Sequence, residues 1–292
     1  MRAHRLRAAA GSSGGGSIVS TNMKYYDFGN TTSYSGSGTY AYALKPDGTM
    51  LDTMAAPLGQ NYLSINGTNN SWSSTKGGHI ILNTWQHSAG SAYMPPYMSL
   101  GGTQNTSNPY SSFGTGPFSM EFYHGEIENA LTSVSDHILP FFQDDTFLLT
   151  FNPLAIKTHY VRFGINIQNN NYHLAGHNLD GSGNAFSNAS SNTRYESGSS
   201  STYSFPTSWE QIVMVRENTG TNGMKFYRNA TLVGTTTNSK DYDANGTMSG
   251  FTRFFYRMKC KVGLIRIYTG TALTQSEIQT HYNIEKPRFG LP

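Results

Sequence analysis

The sequence predicts an all-β fold, an antiparallel sandwich of two sheets closed by one short C-terminal helix. Three observations predict it. Only 13% of the 292 residues are charged, against roughly 25% in ordinary soluble proteins, and Gly, Ser, Thr and Asn fill the difference. Aromatic residues make up another 13%, with 19 Tyr and 16 Phe, and such flat, stiff side chains suit a pleated surface better than a helix face. From Ile18 on, short alternations of apolar and polar residues are separated by turn-rich stretches, with no repeat of fixed period.

Residues 1–17 read as an arm. Arg2, Arg5 and Arg7 stand among alanines, and Gly11-Ser-Ser-Gly-Gly-Gly-Ser17 carries no side chain able to bury area. The arm is either a plain tail or an anchor, with its three arginines set against a neighbouring subunit. Residues 18–292 are expected to form a single sandwich domain. The N-terminus lacks the apolar run that a signal peptide needs, and no segment approaches the ~18 apolar residues of a membrane span.

The strands follow from periodicity. Phe147, Leu149 and Phe151 share one face, as do Val161, Phe163, Ile165 and Ile167. Ile212-Val-Met-Val215 is a wholly apolar run that belongs deep in the sandwich. Met224-Lys-Phe-Tyr227 and Leu232-Val233 flank Arg228-Asn-Ala-Thr231 as a hairpin turned at Asn229, although the absence of glycine argues against a tight type I′ turn. Val262-Gly-Leu-Ile-Arg-Ile-Tyr268 is the last strong strand. Behind it, Thr274-Gln-Ser-Glu277 is a capping box, and Leu273 can staple onto Ile278. A helix from there to about Tyr282 is predicted, with Ile278 and Tyr282 forming a stripe that lies against the sandwich.

Charge and cysteine content exclude several function classes. The net charge of +3 is partly that of the arm, so the body is near neutral and the folded domain is not expected to bind nucleic acid. The single cysteine, Cys260, excludes an internal disulfide and a cysteine zinc cluster. Strand alternation sends Cys260 opposite to Lys259 and Lys261, which makes it a small core residue rather than an activated thiol.

Four clusters invite a chemical reading. Glu126 and Glu128 have the spacing of paired glycosidase carboxylates, but the sequence continues Asn129-Ala-Leu131, and a solvated strand edge or loop is the plainer reading. The chain is therefore read as non-catalytic. Asp241, Asp243 and Asn245 match the first half of a calcium loop, yet the twelfth position is Thr252 rather than glutamate. Calcium is accordingly a candidate cofactor with an incomplete ligand set, and an Asx-rich turn competes with it. His173 and His177 have the spacing of helical metal ligands but sit among Ala, Gly and Asn residues that favour a polar loop. Trp72, Trp85, Tyr93 and Tyr97 belong to a stretch rich in Gly, Ser, Asn and Pro, of the kind that stacks on sugar rings or fits protein pockets. An insertion whose aromatics pack inward is the competing reading.

The two ends of the chain carry a resemblance. Tyr26-Asp-Phe-Gly-Asn-Thr-Thr-Ser-Tyr-Ser-Gly-Ser-Gly-Thr39, Asn61-Tyr-Leu-Ser-Ile-Asn-Gly67 and Pro117-Phe-Ser-Met-Glu-Phe122 resemble, in order, early strands of laminin-G-like, concanavalin-like jelly-roll proteins of tailed marine-type bacteriophages. Trp209-Glu-Gln-Ile-Val213, Met224-Lys-Phe-Tyr-Arg-Asn229 and Gly263-Leu-Ile-Arg-Ile-Tyr268 are similar to the late strands. Ala272-Leu-Thr-Gln-Ser-Glu-Ile278 through Lys286-Pro-Arg-Phe-Gly290 is similar to the closing signature. The resemblance implies a laminin-G-like jelly roll at a virion surface, made in the host cytoplasm and assembled with other virion structural proteins, as capsid decoration or a tail or fibre component. It also implies a homo-oligomer. The alternative function on the same fold is a carbohydrate-binding adhesin that recognises host-surface glycans, with or without calcium.

Overall fold

A computed structural model of the chain describes residues 17–19, 23–50, 62–66, 70–83, 97–100, 117–128, 138–149, 156–166, 171–177, 194–202, 206–217, 224–235, 251–255 and 258–292. In chain order the first strands are β1 (Met23–Asp27), β2 (Tyr40–Tyr42), β3 (Tyr62–Asn66), β4 (Ser71–Ser73), β5 (His79–Leu82) and β6 (Tyr97–Leu100). The long central strands are β7 (Phe118–Glu128), β8 (Ile138–Leu149), β9 (Ile156–Asn166), β10 (Asn171–His177) and β11 (Arg194–Thr202). β12 (Glu210–Arg216), β13 (Met224–Arg228), β14 (Thr231–Thr235), β15 (Phe251–Phe254) and β16 (Lys259–Thr269) lead to helix α1 (Gln275–Phe289).

These strands form two antiparallel sheets. The first runs β14-β13-β12-β7-β16-β5-β4, with β1 also paired to β16, and the second runs β11-β10-β9-β8-β15-β6-β3-β2. At one lateral edge β14 approaches β11. The opposite edges end at β4 and β2, where short strands flank the segment between β1 and β2. Strand alternation directs Phe118, Met120 and Phe122 of β7, with Ile212, Met214, Phe226, Ile265 and Ile267, into the space between the sheets. There they meet Ala41, Ile65, Met98 and Phe254 of the second sheet. The all-β two-sheet sandwich is the observed architecture.

On the other side of the first sheet, the middles of β7, β12 and β16 do not face water either. Tyr123, Val213, Val215, Leu264 and Tyr268 form a second buried cluster with Leu273, Ile278, Tyr282 and Phe289 from α1 and its approach. Every residue of β12 is consequently buried. This is why Ile212–Val215 is continuously apolar instead of alternating. Cys260 is buried in the inter-sheet cluster, where desolvation raises its thiol pKa.

Helix α1 begins at the capping box. The Thr274 hydroxyl accepts from the Glu277 N–H at 3.3 Å, and the Glu277 carboxylate accepts from the Thr274 N–H at 2.7 Å. The helix is longer than its sequence predicts, passing Tyr282 and running through Pro287 to Phe289 before Gly290 ends it in a left-handed conformation. Tertiary contacts outweigh the proline there. Phe289 stacks on Trp209 and Tyr123 at centroid distances of 4.7 and 5.2 Å. Gly263 makes room for that ring, because a Cβ in its place would lie 2.3 Å from the Phe289 ring.

Two further expectations are corrected. The hairpin of β13 and β14 pairs Arg228 with Thr231, leaving a two-residue turn at Asn229 and Ala230 with φ of 48° and 60°. Positive φ at both positions is the type I′ arrangement that the missing glycine argued against. It is held from outside, since Gln211 Oε1 accepts from the Ala230 N–H at 3.0 Å and Gln275 donates to the Ala230 carbonyl. His173 and His177 lie on β10 rather than in a loop. Four positions apart along the strand, they are separated by about 13 Å, too far to share one metal ion.

Gly263→Ala is expected to displace Phe289 and lower the unfolding free energy by about 2 kcal/mol. Denaturant unfolding checks this, and an unchanged midpoint would contradict the packing described.

Candidate functional site

Two places in the described structure carry polar or aromatic groups in unusual settings. The first lies between the first sheet and α1. Glu121, on the helix-facing side of β7, is wholly buried. Its Oε1 accepts from the Tyr123 hydroxyl at 2.8 Å and from Gln211 Nε2 at 2.7 Å, and its Oε2 accepts from Arg266 Nη1 and His281 Nδ1, each at 3.1 Å. Four donors meet the four lone-pair positions of an ionised carboxylate. Burial by itself would raise the pKa of Glu121. His281 and Arg266, with hydrogen bonds from His281 and Gln211, outweigh it and hold this carboxyl well below the usual range.

His281 is fixed by both ring nitrogens. The backbone N–H of Val19 donates to Nε2 at 3.0 Å, so Nδ1 carries the proton given to Glu121. Arg266 also pairs with Glu285, and its guanidinium lies 5.3 Å from the centre of the Tyr25 ring. At the far end of α1, Arg288 binds Asp27 bidentately at 2.6 and 3.0 Å and reaches the Gly77 carbonyl at 3.3 Å. This network ties β1, β7, β16 and the segment at Val19 to one helix. Its chemistry is that of a clamp.

The second place is the lateral edge where β4 and β2 end the two sheets. Trp72 pairs across β4 and β5 with Ile80, which turns it to the inter-sheet side. Its indole N–H donates to the Phe28 carbonyl at 2.8 Å, and its six-membered ring packs on Gly36. The indole is thus held in place while 38% of Trp72 remains exposed. Gly36 has φ of 88°, and a Cβ there would touch the ring at 3.5 Å.

Tyr40 and Tyr42 lie on β2 on either side of Ala41, which is buried in the inter-sheet cluster. Alternation therefore sends both tyrosines to the outward face, where they are 48% and 36% exposed. The segment between β1 and β2 joins them to Trp72. Phe28 and Tyr34 meet edge to face at 5.7 Å, the Tyr34 hydroxyl donates to the Gly38 carbonyl at 3.1 Å, and the Tyr42 N–H donates to the Ser33 carbonyl at 2.7 Å. An exposed ring fixed as Trp72 is can stack against a flat apolar surface with little rotamer entropy lost.

Of the aromatic residues singled out from sequence, Trp72 is placed at this edge. Tyr97 opens β6, the third strand from the β2 edge, and Trp85 and Tyr93 lie outside the described residues. So do Asp241, Asp243 and Asn245 of the candidate calcium loop, and Arg2, Arg5 and Arg7 of the arm. Tyr40 and Tyr42 were not singled out, although the Tyr-Ala-Tyr alternation beside Gly38 signals an outward-facing pair. Glu126 stands exposed at a bulge with φ of 35° and pairs with Lys261, as a solvated strand edge would.

No family model and no curated protein matches the sequence. Solved structures do match in shape. Domain 4 of an extracellular arabinanase of family GH43 from Geobacillus stearothermophilus, in complex with arabinotriose, has a TM-score of 0.50 at 14% identity, over 88% of this chain and 95% of that one. Trypanosoma rangeli sialidase in complex with a difluorinated keto-deoxy-nononic acid has a TM-score of 0.53 at 11% identity, over 95% of this chain and 35% of the sialidase chain. The same sialidase in complex with sialic acid has a TM-score of 0.53 at 10% identity. This chain thus spans about a third of the sialidase and nearly all of the arabinanase domain. At these identities the likeness is one of fold, the jelly-roll-like β-sandwich.

The clamp yields a pH prediction. A carboxyl whose folded pKa is depressed adds stability above its unfolded pKa and loses it as pH falls through the folded value. Glu121→Gln is expected to cost about 3 kcal/mol at neutral pH by leaving Arg266 short of a partner. The gap to the unaltered protein should narrow as pH falls below the ordinary carboxyl value of 4.5. Denaturant melts over that range check it, and a pH-independent gap would contradict the assignment.

Proposed function

We propose that this chain is a carbohydrate-binding β-sandwich whose contact surface is the lateral edge at Trp72. The observation that carries the reading is the Trp72 indole, fixed by its bond to Phe28 and its packing on Gly36 yet open to solvent. Orienting an exposed ring in advance lowers the entropic cost of stacking a sugar on it. The likeness to an arabinanase domain of nearly the same extent, solved with a trisaccharide, supports the same reading.

The role proposed is binding without turnover. Glu126, the one described side chain of the carboxylate pair considered from sequence, is taken up by Lys261. The setting proposed is a virion surface, and its support is the resemblance of the two chain ends to jelly-roll proteins of tailed phages. In that setting the sandwich would be an adhesive module, and the segment preceding Ile18 would face neighbouring virion subunits. Ile18 and Val19 pack on the α1 side of the first sheet, which keeps that segment's point of departure away from the outward face of β2.

A glycan microarray probed with the full chain is expected to give a bound class, and Trp72→Ala should weaken that binding by about tenfold, or ~1.4 kcal/mol. A blank array, or binding that survives Trp72→Ala unchanged, would overturn the proposal.

A further inference from the structure

We infer that His281 is a proton-operated catch for the N-terminal segment: neutral, it holds Val19 on helix α1, and on taking up a proton it lets that segment go. The two ring nitrogens are engaged in opposite senses. Nδ1 donates to the Glu121 carboxylate at 3.1 Å, and Nε2 accepts from the Val19 N–H at 3.0 Å. A neutral imidazole has one donor and one acceptor and meets both demands, whereas an imidazolium has two donors. A proton on Nε2 would point at the Val19 N–H, donor against donor, and the bond would be lost.

The charges around the ring draw that proton in. β7 contributes Glu121, β1 Asp27, β16 Arg266, and α1 Glu285 and Arg288, joined as ion pairs. Three carboxylates face two guanidiniums, so with His281 neutral this cluster carries one negative charge in excess. Tyr25, Tyr123 and Tyr268 also line it, and burial pushes their hydroxyls well above the ordinary tyrosine value, which keeps them neutral. Tyr268 stacks on the His281 ring at 6.2 Å. Gln211 of β12 is uncharged, and Glu277, one helical turn before His281, is taken up by the cap at Thr274. The segment itself, residues 17–22, carries no charge.

Glu121 and Arg266 act on the ring whether or not the segment is docked, but the Val19 bond exists only in the docked state. The released state therefore takes up the proton more readily, and falling pH shifts the equilibrium toward release, by at most about tenfold per pH unit for one proton. Glu121 stays ionised meanwhile, because its carboxyl is held well below the usual range. The tie between sheet and helix thus outlasts the catch. Ile18 and Val19 are half-buried against the edge of the α1 cluster and lie outside the strands, so losing this bond removes a specific hold on the backbone there.

Nuclear magnetic resonance of the full chain tests this, following the Val19 backbone amide and the His281 ring nitrogens from about pH 8 to about pH 5, the interval in which histidine side chains charge. The Val19 order parameter is expected to fall from about 0.85 to below about 0.6 as Nε2 gains its proton, while the amides of β7 and β16 stay ordered. In His281→Gln, whose amide cannot charge, the Val19 order parameter should not change with pH. A Val19 amide that stays ordered while Nε2 is protonated would overturn the catch, as would a ring that takes no proton over this interval. Loosening that persists in His281→Gln would also overturn it. Should that variant fail to fold, the coincidence of ring protonation and Val19 loosening in the unaltered chain decides.

Discussion

The burial of Glu121 constrains everything built on the first sheet. An ionised carboxylate enclosed between a sheet and a helix is tolerable only when every lone pair is met, and its donors come from β7, β12, β16 and α1. Helix α1 is therefore a third layer of the sandwich rather than an appendage. Because it covers one face of the first sheet and the second sheet covers the other, β12 and Val262–Tyr268 of β16 have no wet side. Among the described residues, exposed aromatic rings remain at the lateral edge of β4, where Trp72 stands, and on the outward face of β2, where Tyr40 and Tyr42 stand.

That division explains why the aromatic rings are where they are. Buried rings such as Phe122, Trp209 and Phe289 pack in the two clusters, whereas Trp72 is held by the Phe28 carbonyl and Gly36 yet stays accessible. A ring that is ordered without being buried is an expensive feature unless something stacks on it.

Much of this was legible from residues alone. The strand at Val262–Tyr268, the buried apolar run Ile212–Val215 and the inward Cys260 follow from the side-chain pattern, and the Thr274–Glu277 box marks the helix start from local chemistry. What was not legible depends on distant partners. The local pattern carries the helix only to about Tyr282, but Glu285, Arg288 and Phe289 are bound by β16, Asp27 and Trp209, so the helix runs on. Ala230 reads as unsuited to a left-handed turn, a conformation costing roughly 1–2 kcal/mol, but Gln211 and Gln275 hold it. Ser119, Glu121 and Tyr123 alternate as a solvent face would, and nothing local reveals that a helix arriving more than 150 residues later covers them. The edge was half legible. Trp72 stood out by composition, whereas the role of Tyr40 and Tyr42 depends on β2 being the last strand of its sheet.

The central claim is that α1 and the first sheet form one cooperative unit locked at Glu121. Native-state hydrogen exchange tests it most directly. The account predicts that the amides of Ile278 through Glu285 open with the same free energy as those of β7 and β16. Exchange of the helix through a separate, markedly cheaper opening while the sheet stays protected would contradict it.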